Sequence, residues 1–348
     1  MDPTFYIQWH MTNYCNLRCQ HCYQDNFSRN KDLDWLSLKK VSDNILTTLR
    51  GWDRNACIHL TGGEPLLKPE LFPLLAYLNQ QSRVEELGII TNGLLLDGEV
   101  VRNLWAFGKL KKIKISLDGG DVETNDSIRP VGTFQKVVKN LPLVNEGGRF
   151  EVILMFTAMK RNYKNLPTLI RLGQDLGVAG VIIERFIPWG RGKTIQSEVL
   201  ERSHWKELVG ALYDFFSVEP EEDGTPPYQA FQIDFQGGEP ELMGAPCVLG
   251  EDGLCIMPEG IVLPCRRFPL PIGNLLEDSL KTVWERSEIL PKMRDKRNLK
   301  GKCGSCDRVD CTGCRSLAYS LTGDFFAEDP HCLYTPNPFP FPCGGIKG

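Results

Sequence analysis

The chain has 348 residues, of which 42% are hydrophobic and 24% are charged, so it can bury a large core in two domains or in one barrel with an appendage. Its formal net charge of −4 argues against the broad basic surface that sequence-independent binding to nucleic acid requires. The first residues do not form a signal peptide, and no apolar run reaches the roughly 18 residues needed to cross a membrane, so we expect a cytoplasmic protein.

Short apolar runs alternate with segments of helical periodicity along residues 5–216. This pattern predicts strand–helix units, a parallel sheet and right-handed crossovers. Six such units make an α/β fold, a partial (β/α)6 barrel that falls short of the eight-unit closed barrel, with ligands at the carboxyl ends of its strands. The predicted strands are Tyr6–Trp9, Ile58–Leu60, Leu87–Thr91, Ile113–Leu117, Val152–Phe156 and Val181–Phe186. The predicted helical stripes are Leu38–Leu49, Leu71–Leu78, Gly98–Phe107, Phe134–Leu141, Leu169–Leu176 and Trp205–Leu212.

The composition changes near residue 217. Acidic residues and prolines predict a linker over residues 217–234, after a barrel domain that spans residues 1–216. Residues 235–334 are rich in Cys, Gly and Pro, and they predict a small domain with a helix near Leu280–Trp284. A domain with so little regular structure needs a metal or a cluster to hold it together. Residues 335–348 are expected to form a proline-rich tail.

The thirteen cysteines are unevenly distributed along the chain. Three lie within residues 15–22, nine lie within residues 247–343, and Cys57 alone lies between these groups. Because the cytosol keeps thiols reduced, this number of cysteines favours metal ligation, cluster ligation or redox chemistry over disulfides.

The first group is a C-x3-C-x2-C triplet formed by Cys15, Cys19 and Cys22, directly after the first predicted strand. Three thiolates can hold three irons of a 4Fe–4S cube and leave the fourth iron open to a small chelating ligand. The alternative is a zinc site in which His10 or His21 supplies the fourth ligand.

This triplet resembles the signature of the radical S-adenosylmethionine (SAM) superfamily. The Thr-Gly-Gly-Glu-Pro segment at residues 61–65 follows the second predicted strand, as the family's Gly-Gly-Glu-Pro motif does. The resemblance implies that the open iron binds SAM and that the reduced cluster cleaves it to methionine and a 5′-deoxyadenosyl radical. That radical would then remove a hydrogen atom from the substrate.

The same resemblance implies which strand ends contact SAM. Glycines allow close backbone approach, and a glutamate can pair with the methionyl ammonium group. An ordinary strand-to-helix turn is the alternative for the Gly-Gly-Glu-Pro segment. The expected SAM-binding residues are Gly62, Gly63, Glu64, Asn92, Ser116 and Asp118.

The second cysteine group resembles the SPASM domain of radical SAM proteins, which carries auxiliary 4Fe–4S clusters. From spacing alone, two four-thiolate zinc sites or two 4Fe–4S clusters are both reasonable. Two such sites use eight of the nine cysteines in this group, and Cys343 is the one that remains. The resemblance implies a first cluster held by Cys247, Cys255, Cys265 and Cys314 and a second held by Cys303, Cys306, Cys311 and Cys332.

The resemblance implies an enzyme that modifies a ribosomally made peptide by crosslinking, oxidation or epimerisation. Formation of formylglycine in a sulfatase and modification of a tetrapyrrole are alternatives, and an iron–sulfur electron carrier or a zinc-binding interaction module are alternatives of other classes. The expected partners are the peptide or protein substrate and an electron donor such as flavodoxin or ferredoxin. Because 14 residues precede Cys15, a leader-peptide-binding protein is expected to be a separate chain. The sequence identifies no catalytic acid or base, and it predicts no nucleic-acid or membrane partner.

Overall fold

A computed structural model describes residues 4–217, 230–237, 239–245, 247–248, 250–308 and 311–334. Within these residues, eleven strands form one mixed sheet in the order β11-β10-β9-β1-β2-β3-β4-β5-β6-β7-β8. The strands are β1 Phe5–His10, β2 Ala56–Thr61, β3 Val84–Thr91, β4 Leu110–Ser116, β5 Glu151–Ala158, β6 Gly180–Arg185, β7 Ala230–Asp234, β8 Glu241–Ala245, β9 Gly253–Ile256, β10 Ile261–Leu263 and β11 Gly273–Asn274.

The six predicted strands are confirmed as β1–β6, which pair in parallel and in sequence order. Helices connect them and cover the outer face of the sheet, as the alternating pattern predicts. The helices are α1 Trp35–Trp52, α2 Leu71–Asn79, α3 Gly98–Leu104, α4 Val122–Asp126, α5 Thr133–Asn145, α6 Leu166–Asp175, α7 Arg202–Phe216, α8 Leu280–Glu285, α9 Ile289–Arg294, α10 Gly301–Ser305 and α11 Arg315–Thr322.

Local sequence explains where the longer helices begin. Helix α1 begins after Asp34, whose side chain accepts a hydrogen bond from the backbone N–H of Ser37. Its apolar stripe, which includes Val41 and Ile45, is fully buried against the sheet. Side chains alternate along the strands. In β1, Phe5 and Ile7 point into the helical layer, and Tyr6 and Gln8 point into the barrel.

The carboxyl-terminal part of the chain extends the barrel sheet at both edges. Strand β7 pairs antiparallel with β6, and β8 pairs antiparallel with β7. On the other edge, β9 pairs in parallel with β1 and continues into the antiparallel strands β10 and β11. The SPASM-like region is therefore built onto the barrel.

The structure differs from the predicted linker at residues 230–234, which form strand β7. Phe231 and Ile233 alternate into the core there, and this burial favours a strand on the open edge of β6. The predicted helix near residue 280 is confirmed as α8, and α9, α10 and α11 were not predicted. Residues 218–229, the predicted tail over 335–348 and Cys343 lie outside the described residues. Within the described residues, none of the helices has the length and hydropathy of a membrane span.

Candidate active site and cysteine clusters

One cavity of about 570 Å³ lies at the carboxyl ends of the barrel strands and reaches the SPASM-like region. Its wall includes the thiols of Cys15, Cys19 and Cys22 on one side and those of Cys255 and Cys265 on another. The position agrees with the general rule that parallel α/β sheets bind ligands at the carboxyl ends of their strands.

The predicted cysteine triplet lies in the loop after β1 and faces this cavity. The Cys15 sulfur accepts a hydrogen bond from the backbone N–H of Leu17 at 3.3 Å, and the backbone N–H of Cys22 donates to the carbonyl of Cys19 at 3.3 Å. Burial raises the pKa of the Cys15 thiol to about 11 and also raises the pKa of Cys19 and Cys22. Only thiolates ligate iron, so iron binding must displace these protons.

Gly62 and Gly63 let the cysteine loop lie directly against the end of β2. The backbone N–H of Gly63 donates to the carbonyl of Thr12 at 2.7 Å, and Gly62 has a φ of +147°. A Cβ atom on Gly63 would lie 2.2 Å from the carbonyl oxygen of Tyr14. Both glycines also line the cavity. The absence of a side chain at Gly62 and Gly63 thus lets the backbone of the cysteine loop approach the end of β2 closely.

Glu64 lies after the end of β2, and hydrogen bonds from neighbouring residues occupy its carboxylate. Its side chain is fully buried and is absent from the cavity wall. One oxygen accepts hydrogen bonds from the Thr91 hydroxyl at 2.8 Å and from the backbone N–H of Leu66 at 3.1 Å, and the other accepts from the backbone N–H of Asn92 at 2.9 Å. Glu64 therefore fixes the end of β3 beside the site, and its pairing with an ammonium group stays a prediction.

Asp118 makes buried ion pairs beside the cysteine triplet. It is fully buried and absent from the cavity wall, and its carboxylate pairs with Arg129 at 2.7 Å and with His21 at 3.1 Å. Although burial alone would raise it, these two neighbours hold the pKa of Asp118 well below its usual range. Arg129 in turn reaches the Cys19 sulfur at 3.8 Å. From behind the cavity wall, Asp118 thus holds Arg129 and His21 beside the triplet, and these two side chains line the cavity.

Asn92 and Ser116 line the cavity, at the ends of β3 and β4. The Asn92 amide donates to the side-chain oxygen of Asn16 at 2.8 Å and lies 3.9 Å from the Cys15 sulfur. Asn92 is therefore linked to the cysteine loop, and Ser116 stays open toward the cavity.

The first set of SPASM-like cysteines lies around Arg267. Burial alone would lower the pKa of Arg267. The pKa is nevertheless raised, because Glu184 and then Cys265, Cys314 and Cys247 favour the charged guanidinium. Burial raises the pKa of the Cys255 thiol, and the nearby Cys265 adds to that rise. The four thiols expected to share one cluster are thus neighbours. We call Cys247, Cys255, Cys265 and Cys314 the first cysteine set.

The second set lies near α10 and the segment after α11. Burial raises the pKa of the Cys332 thiol to about 11, and nearby Cys303 and Cys311 add to the rise. Burial likewise raises the pKa of Cys311, and Cys303 and Cys306 are among the neighbours that contribute. We call Cys303, Cys306, Cys311 and Cys332 the second cysteine set.

The donor sets suit iron–sulfur clusters. Each contains three or four cysteines, and thiolates are the usual ligands of 4Fe–4S clusters. In the described part of the chain, no three His, Cys, Asp or Glu side chains form a ready-made site for a single metal ion.

Comparison with known proteins identifies the family. Residues 9–172 match the model of the radical SAM superfamily, and residues 247–307 match the SPASM model, described as an iron–sulfur cluster-binding domain. The chain belongs to the radical SAM superfamily. This radical SAM enzyme carries a SPASM domain, and its cofactors are SAM, a SAM-binding 4Fe–4S cluster and auxiliary 4Fe–4S clusters.

Relatives of this radical SAM enzyme have different activities. The AdoMet-dependent heme synthase of Methanosarcina barkeri is 29% identical, over 95% of this chain and 96% of that protein. The mycofactocin maturase MftC of Mycobacterium tuberculosis is 29% identical, over 96% of this chain and 84% of that protein. The solved structure of anSMEcpe with bound AdoMet has a TM-score of 0.72 and 18% identity, over 95% of this chain and 91% of that chain, and it supports the fold.

Cationic side chains that the sequence analysis did not assign also line the cavity of this radical SAM enzyme. Arg266 follows Cys265 and lies 3.8 Å over the ring of Tyr23, and Arg267 pairs with Glu184 at 2.9 Å. Lys114 lies two residues before Ser116 on β4, so the same inward alternation brings it to the cavity. That period-two spacing was the signal available in the sequence.

Lys114 differs from three of the arginines in the cavity wall in its surroundings. Within the described residues, no carboxylate lies within 4 Å of its amine, whereas Arg129, Arg185 and Arg267 each pair with a carboxylate. Burial lowers the pKa of Lys114 to about 8, against the attraction of Glu184. A buried cation in a cavity wall with no carboxylate in direct contact can accept an anionic group of a ligand.

Proposed function

We propose that this radical SAM enzyme abstracts hydrogen from a ribosomally made peptide, which presents a carboxylate to the floor of the cavity. The observation that supports this proposal is the single cavity that joins the cysteine triplet, the Gly-Gly-Glu-Pro strand end and the first cysteine set. A substrate in this cavity lies between the group that removes a hydrogen atom and a cluster that can exchange an electron with it.

Each group of cavity residues has a distinct task in this proposal. Cys15, Cys19 and Cys22 hold the SAM-binding cluster, and Gly62 and Gly63 fix the loop that carries them. When bound and reduced, the cluster and SAM together supply a 5′-deoxyadenosyl radical that removes a hydrogen atom from the substrate. Asn92 and Ser116 at the neighbouring strand ends are the residues open to SAM.

The proposed ligand sets follow the neighbourhoods described above. The first cysteine set holds the auxiliary cluster that borders the cavity, because Cys247, Cys255, Cys265 and Cys314 all line it. The second cysteine set holds the more distant cluster. With four thiolates for each cluster, both serve electron transfer and structural support rather than direct ligation of the substrate. The domain limits that fit this division are a barrel over residues 1–216 and a SPASM domain over 235–334.

The position of Lys114 is an argument for an anionic substrate. Its amine is placed on the inner face of β4, one inward position below Ser116. No carboxylate of the described residues lies within 4 Å of this amine, and Glu184 and Glu86 attract it from farther away. A carboxylate of the substrate would remove the cost of leaving this cation unpaired. Lys114 would hold the substrate while leaving the upper part of the cavity to SAM.

Two substrate classes remain in competition. A relative named PqqA peptide cyclase, from Granulibacter bethesdensis, supports a peptide substrate. The second candidate is a tetrapyrrole carboxylate, because the relative that matches over nearly its whole length is a heme synthase and because the cavity is cationic. Lys114 fits both, since both substrates present carboxylates.

The deciding experiment measures 5′-deoxyadenosine with the anaerobically reconstituted and reduced full-length protein. SAM is supplied alone, with peptides encoded beside the gene, or with carboxylated porphyrins. A peptide that stimulates cleavage and gains a mass change supports the proposal, whereas stimulation by porphyrin alone replaces it with the second candidate. A variant with Cys15, Cys19 and Cys22 all replaced by Ala must be inactive. Full iron loading without SAM binding would contradict the radical SAM activity itself.

A further inference from the structure

Arg315 is a buried cation between the two cysteine sets. It follows Cys314 of the first set directly and begins helix α11. Its side chain is completely buried, which is rare for an arginine unless it is paired. Within the described residues, no carboxylate lies within 4 Å of its guanidinium.

The guanidinium of Arg315 contacts a thiol of the second set. Its Nη2 donates to the sulfur of Cys303 at 3.4 Å, and its Nη1 donates to the carbonyls of Phe325 at 2.9 Å and Ala327 at 2.6 Å. Gly313 leaves the space for this contact, because a Cβ atom there would lie 2.7 Å from Nη2 and 3.1 Å from the Cys303 sulfur.

The contact differs from the arginine contact at the SAM-binding triplet. Arg129 also reaches a cysteine sulfur, but Asp118 neutralises its charge at 2.7 Å. Backbone carbonyls hold Arg315, and the carboxylate of Asp324 attracts it only from beyond 4 Å. A buried cation of this kind is costly unless an anion compensates for it. The nearest compensating group is the Cys303 sulfur, provided that it is a thiolate that ligates a cluster.

We propose that Arg315 raises the reduction potential of the auxiliary cluster held by the second cysteine set. Positive charge and hydrogen bonds to ligand sulfurs favour the more negatively charged, reduced cluster, and both are among the factors that set cluster potentials. A higher potential favours electron transfer toward the second cluster from the first, whose proposed ligand Cys314 is adjacent to Arg315 in the chain. This inference rests on the ligand sets of the proposed function, and its test does not require a substrate.

The test is a redox titration followed by electron paramagnetic resonance, on full-length protein lacking the SAM-binding triplet. The background is Cys15→Ala, Cys19→Ala and Cys22→Ala, which leaves the auxiliary clusters, and adding Cys306→Ala identifies the signal of the second set. Arg315→Met should lower the reduced-to-oxidised ratio of that cluster about tenfold at its original midpoint, which corresponds to about 59 mV for one electron. The other auxiliary signal should not move.

Two further variants make the result decisive. Arg315→Gln, which is neutral but still donates to the carbonyls, should shift the same signal in the same direction. The control Arg54→Met removes an arginine that pairs with Asp252 at 2.8 Å, and it should leave both signals unchanged. An unshifted second-set midpoint in Arg315→Met or Arg315→Gln with full iron loading would overturn the proposal. Loss of that signal from both would also overturn it, because Arg315 would then hold the cluster and not tune it. Absent SAM cleavage in the parent protein would affect only the proposed function.

Discussion

Arg185 and Asp329 form a buried, two-pronged ion pair that joins the barrel to the SPASM region. The two guanidinium nitrogens lie 3.0 and 3.1 Å from the two carboxylate oxygens, and both side chains are 3% exposed. Asp329 also accepts a hydrogen bond from the backbone N–H of Cys314 at 2.7 Å, and its own N–H donates to the Cys303 sulfur at 3.4 Å. The side chain and the backbone N–H of Asp329 together thus tie β6 to both cysteine sets.

Breaking this pair should destabilise the protein strongly. Asp329→Asn leaves Arg185 buried without its counter-charge, and we expect a loss of about 3–5 kcal/mol in the free energy of unfolding. Anaerobic chemical denaturation of the reconstituted protein measures this loss. Glu285→Gln, which removes an exposed pair with Lys281 at 3.9 Å, is the control and should have little effect.

The same pair predicts a dependence on acid. Although burial alone would raise it, Arg185 lowers the pKa of Asp329 to about 2, from 3.8. Because the folded-state pKa is depressed, the stabilisation is present above pH 3.8 and is lost as the pH falls through about 2. The stability difference between the parent and Asp329→Asn should shrink over that window. A constant difference would contradict the role of the ionised pair.

Gly63→Ala should damage the SAM-binding site specifically. The added Cβ atom would meet the backbone carbonyl of Tyr14 at 2.2 Å, and backbone cannot move away as a flexible side chain can. We expect loss of the iron of one cluster and of SAM cleavage, measured by iron analysis and 5′-deoxyadenosine formation. Gly51→Ala is the matched control, because nothing lies within 4 Å of its Cβ position in α1. Normal cluster loading in Gly63→Ala would refute the assigned packing role.

Glu64 should make stability fall as the pH rises. Burial raises the pKa of Glu64 to about 7, from 4.5, against the hydrogen bonds that favour its charged form. A raised folded-state pKa means that the stabilisation is complete below pH 4.5 and is lost as the pH passes about 7. The Glu64→Gln variant lacks this titration, so the melting temperature of the parent should fall relative to the variant between pH 5 and pH 8. A parallel pH dependence of the two proteins would contradict the assignment.

Local periodicity was sufficient to predict the barrel but not its edges. Strands β1–β6 and their helices follow from regular apolar spacing, and the cysteine triplet follows from its motif. Strands β9–β11 contain two to four residues each, and they form because β1 offers an open edge that the local sequence does not reveal. The hydrogen-bond partners of Glu64 and Asp118 were not predicted, for a related reason. A motif locates the strand end, but only packing determines whether a side chain points into the cavity or behind its wall.

Lys114 provides the last prediction, which concerns the substrate. Lys114→Met should weaken binding of the carboxylate substrate at least tenfold, seen as a higher KM in the 5′-deoxyadenosine assay, while SAM affinity measured by calorimetry stays unchanged. Lys111→Met is the control, because that lysine is exposed on the same strand. A matching loss of SAM affinity would instead place the SAM carboxylate at Lys114.

The effect of Lys114 should also depend on pH. Burial lowers its pKa to about 8, while Glu184 and Glu86 favour its charged form and Lys112 opposes it. The amine is charged below that pH and loses its charge above it, so substrate affinity of the parent should fall as the pH rises through about 8. The Lys114→Met variant should lack this fall. The charges of Glu184, Glu86 and Lys112 remain in the variant, so the difference between the two profiles isolates the charge of Lys114.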